Sequence, residues 1–390
     1  MRNSPSAFMI FGWVFPFHKI LSFAYSIMNK NEGIDVKMLA LEYFPGANTP
    51  KGFYSYYDYI LKSNEAKRIV VLKGGPGTGK STFMKKIAQH LLSLGYETEL
   101  LHCSSDPHSL DGVCARQIGF LILDGTSPHV VDPKCPGAVD EIINLGECWD
   151  AEKICKRKTE IIDTGNKISS CFASAYRYLE AAKSLQNQIR YDYSKIVDMD
   201  FVRGELEKTA KELNLSQFKS KKGWERKAFL SAITPLGRIN YIDTFIKKAK
   251  YVYKIKSASP QATELFMGGL CQMLKNNGHN IRTFYCPMSP DEKIEHIYAD
   301  GIFFTVENEY HRAESASTQH IINLDNYPDG KNISPDHAAD INQYNALLER
   351  AEQMVTTAKK LHDELEEYYI PYMDFSKVGS LSEDVIKSIN

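Results

Sequence analysis

No C-x-x-C pair occurs among the eight cysteines of this 390-residue chain, which argues against a zinc ribbon and a disulfide framework and makes a reducing cytoplasm the simplest compartment. Charge of one sign is missing too: Lys and Arg number 47 against 48 Asp and Glu, so no global basic field implies a nucleic-acid partner. No N-K-x-D follows a strand, which leaves guanine specificity without support. One long apolar run exists, Phe8 to Met28, but Pro16, His18 and Lys19 interrupt it where charge is costly in a bilayer, and no small-residue cleavage site follows. Three readings stand for residues 1–38: a translated leader ahead of a natural start at Met38, an amphipathic or membrane anchor, or a helix packed on the rest.

What remains is ordinary for a soluble globular protein, with 43% apolar and 24% charged residues and length for two or three domains. Its most informative stretch is Arg68 to Thr82, RIVVLKGGPGTGKST. Ile69, Val70 and Val71 make a buried strand; Gly74 to Ser81 fits G-x-x-x-x-G-K-[ST]; Phe83, Met84, Ile87, Leu91 and Leu92 then recur at helical spacing. A loop that wraps a triphosphate must turn successive N–H groups inward, and glycine reaches those φ values with no Cβ to obstruct the phosphate. The loop Gly75, Pro76, Gly77, Thr78, Gly79, Lys80, Ser81 and Thr82 is therefore the expected ATP site, with Lys80 on the β- and γ-phosphates and Ser81 on Mg²⁺.

Around it, Tyr43 to Gly52 is turn-rich, Tyr54 to Leu61 reads as a helix, and Gly95 ends the helix that follows the glycine loop. Glu97 to His102 reads as the next strand. Gly119 to Leu123, ending in Asp124, has the form of a Walker B strand whose carboxylate holds the Mg²⁺ shell. Gly137 to Leu145 and the stretch from Ala151 to about Leu213 read as helices, the latter a pair packed beside the sheet. Lys219, Lys221, Lys222, Arg226 and Lys227 surround Trp224 in a basic linker.

The chain then repeats itself. Thr49-Pro50-x-Gly52 returns as Thr234-Pro235-x-Gly237, and the segment from Leu72 onward aligns with that from Ile255: Phe83 with Phe266, Met84 with Met267, Gly95 with Gly278, Cys103 with Cys286, Pro107 with Pro290. His129 pairs with His311, Ile142-Ile-Asn-Leu145 with Ile321-Ile-Asn-Leu324, and Ala182-Lys183 with Ala358-Lys359. The second copy has lost the chemistry. Ala262, Thr263 and Glu264 replace Gly79, Lys80 and Ser81, and Val306 stands for Asp124, so a triphosphate would be repelled there. The expected fold is α/β, two tandem P-loop NTPase domains with mostly parallel sheets and helical extensions: an active copy over 39–215, the linker over 216–228, and a degenerate copy over 229–390.

Gly46 to Asp58, Leu72 to Thr82, His102 to Val113, Asp124 to Glu147 and Ser231 to Gly237 together resemble a bacterial, Firmicutes-type family of tandem P-loop ATPases labelled ATPase or nucleotide-kinase-like. The resemblance covers the chain from about Leu39 and implies ATP binding without naming a substrate.

Beyond nucleotide binding, Asp106 is the candidate base for phosphoryl transfer or for positioning water, with a simple turn role as the alternative. His102, Cys103, His108, His129 and Cys135 lack the spacing of zinc ligands. His129 reads as structural because the degenerate copy keeps its counterpart, and Cys103 and Cys286 read as small buried residues. Transition-state charge is available from Lys73, Arg116, Lys156, Arg157, Lys158, Arg177 or the other half. The chemistry stays open among an ATPase driving a change between the halves, a small-molecule or nucleotide kinase, and a non-catalytic switch.

Overall fold

The computed structural model describes residues 40–127, 130–215, 221–308, 311, 319–326 and 337–389. The run Phe8–Met28, Met38, His129 and Lys219 lie outside them. In the first half, β1 (Leu41–Tyr43) leads into the hairpin β2 (Gly46–Thr49) and β3 (Gly52–Ser55), followed by β4 (Arg68–Lys73), α1 (Lys80–Ser93), β5 (Glu99–His102), β6 (Leu110–Ala115), β7 (Phe120–Asp124) and β8 (Asp140–Asn144). Next come α2 (Ala151–Cys155), the long α3 (Lys158–Ser194) and α4 (Met199–Glu212).

The second half runs in the same order. It has β9 (Glu225–Ala228), the hairpin β10 (Ser231–Thr234) and β11 (Gly237–Asn240), α5 (Ile242–Lys248), β12 (Tyr251–Lys256) and α6 (Pro260–Asn276). Then follow β13 (Ile281–Cys286), β14 (Ser289–Ala299), β15 (Ile302–Val306), β16 (Gln319–Asn323), α7 (His337–Glu367) and α8 (Phe375–Lys387).

Each half builds a six-stranded sheet, β1-β5-β6-β7-β4-β8 and β9-β13-β14-β15-β12-β16. The two orders correspond strand for strand, which is the repeat seen in the sequence. β6 and β14 run antiparallel to both neighbours, so the sheets are mixed, where the sequence suggested mostly parallel ones. Register also confirms the residue pairing: Leu72 faces Asp124 and Ile255 faces Val306.

Four sequence expectations need correcting. Tyr54 to Leu61 is the end of a hairpin strand and a 3₁₀ turn at Tyr57–Tyr59, because Thr49 Oγ1 and Gly52, at φ +87°, close the hairpin first. Residues 137–145 contain β8, an edge strand whose β-branched Ile142 and Ile143 pair alongside β4. The loop expected after His102 contains β6, which carries Asp111 and Gly112 in place of an apolar run and so left no strand pattern. Finally, Glu225–Ala228, assigned to the linker, is an edge strand of the second sheet, and Arg226 stacks on Trp224 while pairing with Glu65 at 2.7 Å.

The halves interlock. Phe44 and Phe229 exchange backbone hydrogen bonds of 2.9 and 3.0 Å, and Leu39–Asn390 forms one compact unit whose cores mix residues of both halves, Phe44 and Tyr56 packing with Phe266 and Phe304. The helical extensions cross over: α4 lies on α6, α8 lies on α1, and α3 packs along α7. Glu99 and its counterpart Arg282 meet at 2.7 Å across the join, Glu99 also holding Arg116 at 2.6 Å and the Tyr43 hydroxyl at 2.6 Å. Two identical copies would bring like charges together here. The divergence of the second copy therefore favours this pairing over self-association of either half.

Packing leaves no slack at the sheet's centre. A Cβ on Gly112 would lie 2.6 Å from Leu123 Cδ2, 2.7 Å from Leu101 Cδ1 and 2.9 Å from the carbonyl oxygen of Ile122. Gly112→Ala is expected to destabilise the fold by about 1–3 kcal/mol through overpacking. Chemical denaturation reads this, and an unchanged midpoint would contradict the packing.

Candidate functional site

The glycine loop leaves the end of β4 and enters α1 through Gly79, which takes φ +87° at the N-cap; Gly77 takes φ +67°. These left-handed positions are what the sequence requires of glycine, and they curl the loop around the start of the helix. Lys80 turns back over the loop, its Nζ donating to the carbonyl oxygens of Gly74 at 2.7 Å and Gly75 at 2.9 Å, with Asp124 Oδ2 3.7 Å away. Thr78 Oγ1 fastens the loop by donating to Gly75 O at 2.9 Å.

Asp124 ends β7, directly beside β4, so parallel pairing brings the loop and the carboxylate to one edge. Its Oδ1 accepts from the amide of Thr126 at 2.8 Å. Ser81 Oγ accepts from the amide of Leu110 at 3.1 Å, which ties α1 to the start of β6. Pro76 lies in the loop and Thr82 in the first turn of α1. The glycine loop, Lys80 and Asp124 are thus gathered at one edge, whereas His129 lies outside the described residues.

Asp106 is engaged as a turn former. Its oxygens accept from the amide of His108 at 3.1 Å and the hydroxyl of Ser109 at 2.9 Å. His102 bridges Glu42 at 2.8 Å and Pro107 O at 2.9 Å and stacks on Tyr241, a fully partnered structural histidine. Among the described residues, His102, Cys103, His108 and Cys135 form no cluster of metal ligands. Several candidate cations are committed elsewhere: Lys73 to Gly125 O and Val131 O at 2.7 and 2.9 Å, Arg116 to Glu99, and Arg157 to Glu160 and the Tyr368 ring.

What sequence reasoning missed comes from the other half. The last turns of α7 lie over the glycine loop, placing Lys359 Nζ 3.5 Å from Asp106 Oδ2 and Glu366 Oε1 3.3 Å from the amide of Gly77. His362 lies 3.6 Å from the same Glu366 oxygen; burial is the main cause that lowers its pKa. A Cβ on Gly77 would meet Ile370 Cγ1 at 2.9 Å and one on Gly75 the Tyr369 ring at 3.2 Å, so these glycines also serve the packing of this cover. The signal was the Ala182-Lys183 and Ala358-Lys359 repeat. In the mirrored arrangement Lys183 bonds Ser289 Oγ, and Arg190 pairs with Glu264, the residue standing for Ser81.

The degenerate loop has been rebuilt as a helix start. Ser259 caps α6 by accepting from Ala262 N at 3.4 Å, and Pro260 fills the first turn. Among the described residues no helix is long and apolar enough to cross a membrane. No family model, curated protein or solved structure matches this chain in the comparisons made with each.

Proposed function

We propose that the first half binds ATP with Mg²⁺ and hydrolyses it in the cytoplasm, and that the helices of the second half close over the bound nucleotide. One observation carries the reading: the Gly74–Thr82 loop already binds a carboxylate oxygen, Glu366 Oε1 on the Gly77 amide, while Lys80 is folded back onto the carbonyl of Gly74 in the same loop. A nest of inward N–H groups at a helix start attracts phosphate oxygens for the same reason that it attracts this carboxylate. Gly75 to Thr82 would hold the phosphates, and Ser81 with Asp124 would hold Mg²⁺, whose charge offsets that developing on the phosphate oxygens.

Lys80 is drawn off its two loop carbonyls by the phosphates, and Asp124 keeps its place beside it. Glu366 must yield the Gly77 amide to a phosphate oxygen, which moves the end of α7. Binding and release are in this way tied to the junction of the two halves, which favours an ATPase coupled to a movement over a kinase. Asp106, with one oxygen on its own turn and the other shared by Ser109 and Lys359, supports the turn role over that of a base.

The test is direct titration of the purified chain with ATP, with and without Mg²⁺, together with phosphate release in the absence of any acceptor. Glu366→Gln removes the competing charge while keeping the shape of the side chain. It is expected to tighten ATP binding by about 10-fold, the scale of one charged hydrogen bond. Equal affinity in wild type and variant would remove the covering role of Glu366, and no ATP binding by either would remove the proposal.

A further inference from the structure

We propose that the second half holds a zinc ion on Glu295, His296 and His311, with water in the fourth position. These side chains are 4%, 1% and 4% exposed, and one donor atom from each lies within 4.8 Å of the others. They sit at the sheet edge where the first half carries its glycine loop. Two neutral imidazoles and one carboxylate are a zinc donor set, and four-coordinate zinc would draw donor atoms to about 3.4 Å apart.

The position has been reshaped to admit an imidazole. Gly112 faces Leu123 between β6 and β7; at the matching place between β14 and β15, His296 faces Thr305. Where the first half has no room even for a Cβ, the leucine has become a threonine that bonds the ring. His296 Nδ1 and Thr305 Oγ1 are 2.8 Å apart. That bond leaves Nε2 as the remaining nitrogen, and Nε2 is buried with no hydrogen-bond partner among the described residues. A metal-ligating histidine commonly has its other nitrogen fixed in this way, whereas an orphaned buried nitrogen is otherwise a cost.

Glu295 reaches the same point through a bulge. The pairing of β13 with β14 passes from Phe284 opposite His296 to Tyr285 opposite Ile294, leaving Glu295 as the extra residue. Lys293 takes one of its oxygens, Oε1, at 3.5 Å; the other, Oε2, lies 3.9 Å from His311 Nδ1. The Lys293 ion pair therefore accounts for half of the carboxylate and leaves His296 Nε2 untouched.

The experiment titrates Zn²⁺, and then Co²⁺ as a spectroscopic probe, into the full chain after dialysis against a chelator. One equivalent of Zn²⁺ is expected to bind, and Co²⁺ at the same site is expected to give the visible absorption of four-coordinate cobalt. His296→Gln should abolish this band. Thr305→Val, which keeps the shape and removes only the Nδ1 partner, should weaken binding roughly 10- to 100-fold. Lys293→Met, by removing a repelling cation, should strengthen it. A wild-type chain that takes up no stoichiometric metal overturns the proposal, whatever the variants do. So does binding that is undiminished in both His296→Gln and Thr305→Val. Neither result bears on ATP binding in the first half.

Discussion

Lys80→Ala is expected to remove ATP turnover, lowering kcat by about 10²–10³-fold, the scale on which a single preorganised donor to a developing anion acts. The geometry makes the loss specific. Lys80 Nζ already sits between the Gly74 and Gly75 carbonyls and within 3.7 Å of Asp124, so it is held over the place where phosphate oxygens would enter. Alanine takes away the charge and leaves α1 intact, since the helix begins at Gly79 and carries its buried face on Phe83, Met84, Ile87 and Leu91. Phosphate release by the purified variant reads the effect, with thermal unfolding as the control for folding. Turnover at the wild-type rate would overturn the ATPase reading. In the converse experiment, Thr263→Lys in the second half is expected to gain no ATP binding. A lysine there stands next to Glu264, itself paired with Arg190, on a helix start already capped by Ser259.

Glu99→Gln is the variant with the largest expected effect on stability, about 3–5 kcal/mol. Glu99 is 1% exposed and is the anion that both Arg116 and Arg282 share. Glutamine keeps the size and removes the charge, leaving two partly buried guanidinium groups without the anion that they share at the join between the halves. Equilibrium denaturation should show the loss, and a variant as stable as wild type would mean that water reaches the cluster. The pH dependence has a defined sign. Burial alone would raise the Glu99 pKa, but Arg116 and Arg282 outweigh it and hold the carboxyl well below the ordinary range. A depressed carboxyl contributes stability that is present above the unfolded-state pKa, about 4.3, and is lost as pH falls toward the folded-state value. Wild type should therefore lose stability on acidification below about pH 4, and Glu99→Gln should lack that part of the slope.

Much of this was legible before any coordinates. The glycine loop was readable because its residue types are dictated one by one: left-handed φ at Gly77 and Gly79, a cation at Lys80, a β-branched strand ahead of it. Asp124 was readable from the apolar strand that it ends. The repeat was readable because buried positions such as Phe83 and Phe266 keep their identity when chemistry at Lys80 and Thr263 does not. Local elements fared worse where partners decided them. Ile142 and Ile143 suit a helix or a strand equally, and the free edge of β4 chose the strand. β6 had no pattern of its own, since Asp111 and Gly112 interrupt it, and it exists because β5 and β7 stand on either side.

The sequence by itself determined the architecture's repeat, the glycine loop of Gly74 to Ser81 between a strand and a helix, and the loss of that pattern from the second copy, because each follows from backbone φ, charge or periodicity within a short window. Only the tertiary structure decided what the second copy contributes. Glu366 reaches the first glycine loop, Lys359 reaches the turn at Asp106, Arg282 reaches Glu99, and His296, Glu295 and His311 converge, through exchanged helices, a strand bulge and cross-sheet register. No local rule encodes such meetings. They arise when the elements of each half, and the two halves, bury their faces together and bring groups far apart in the chain side by side.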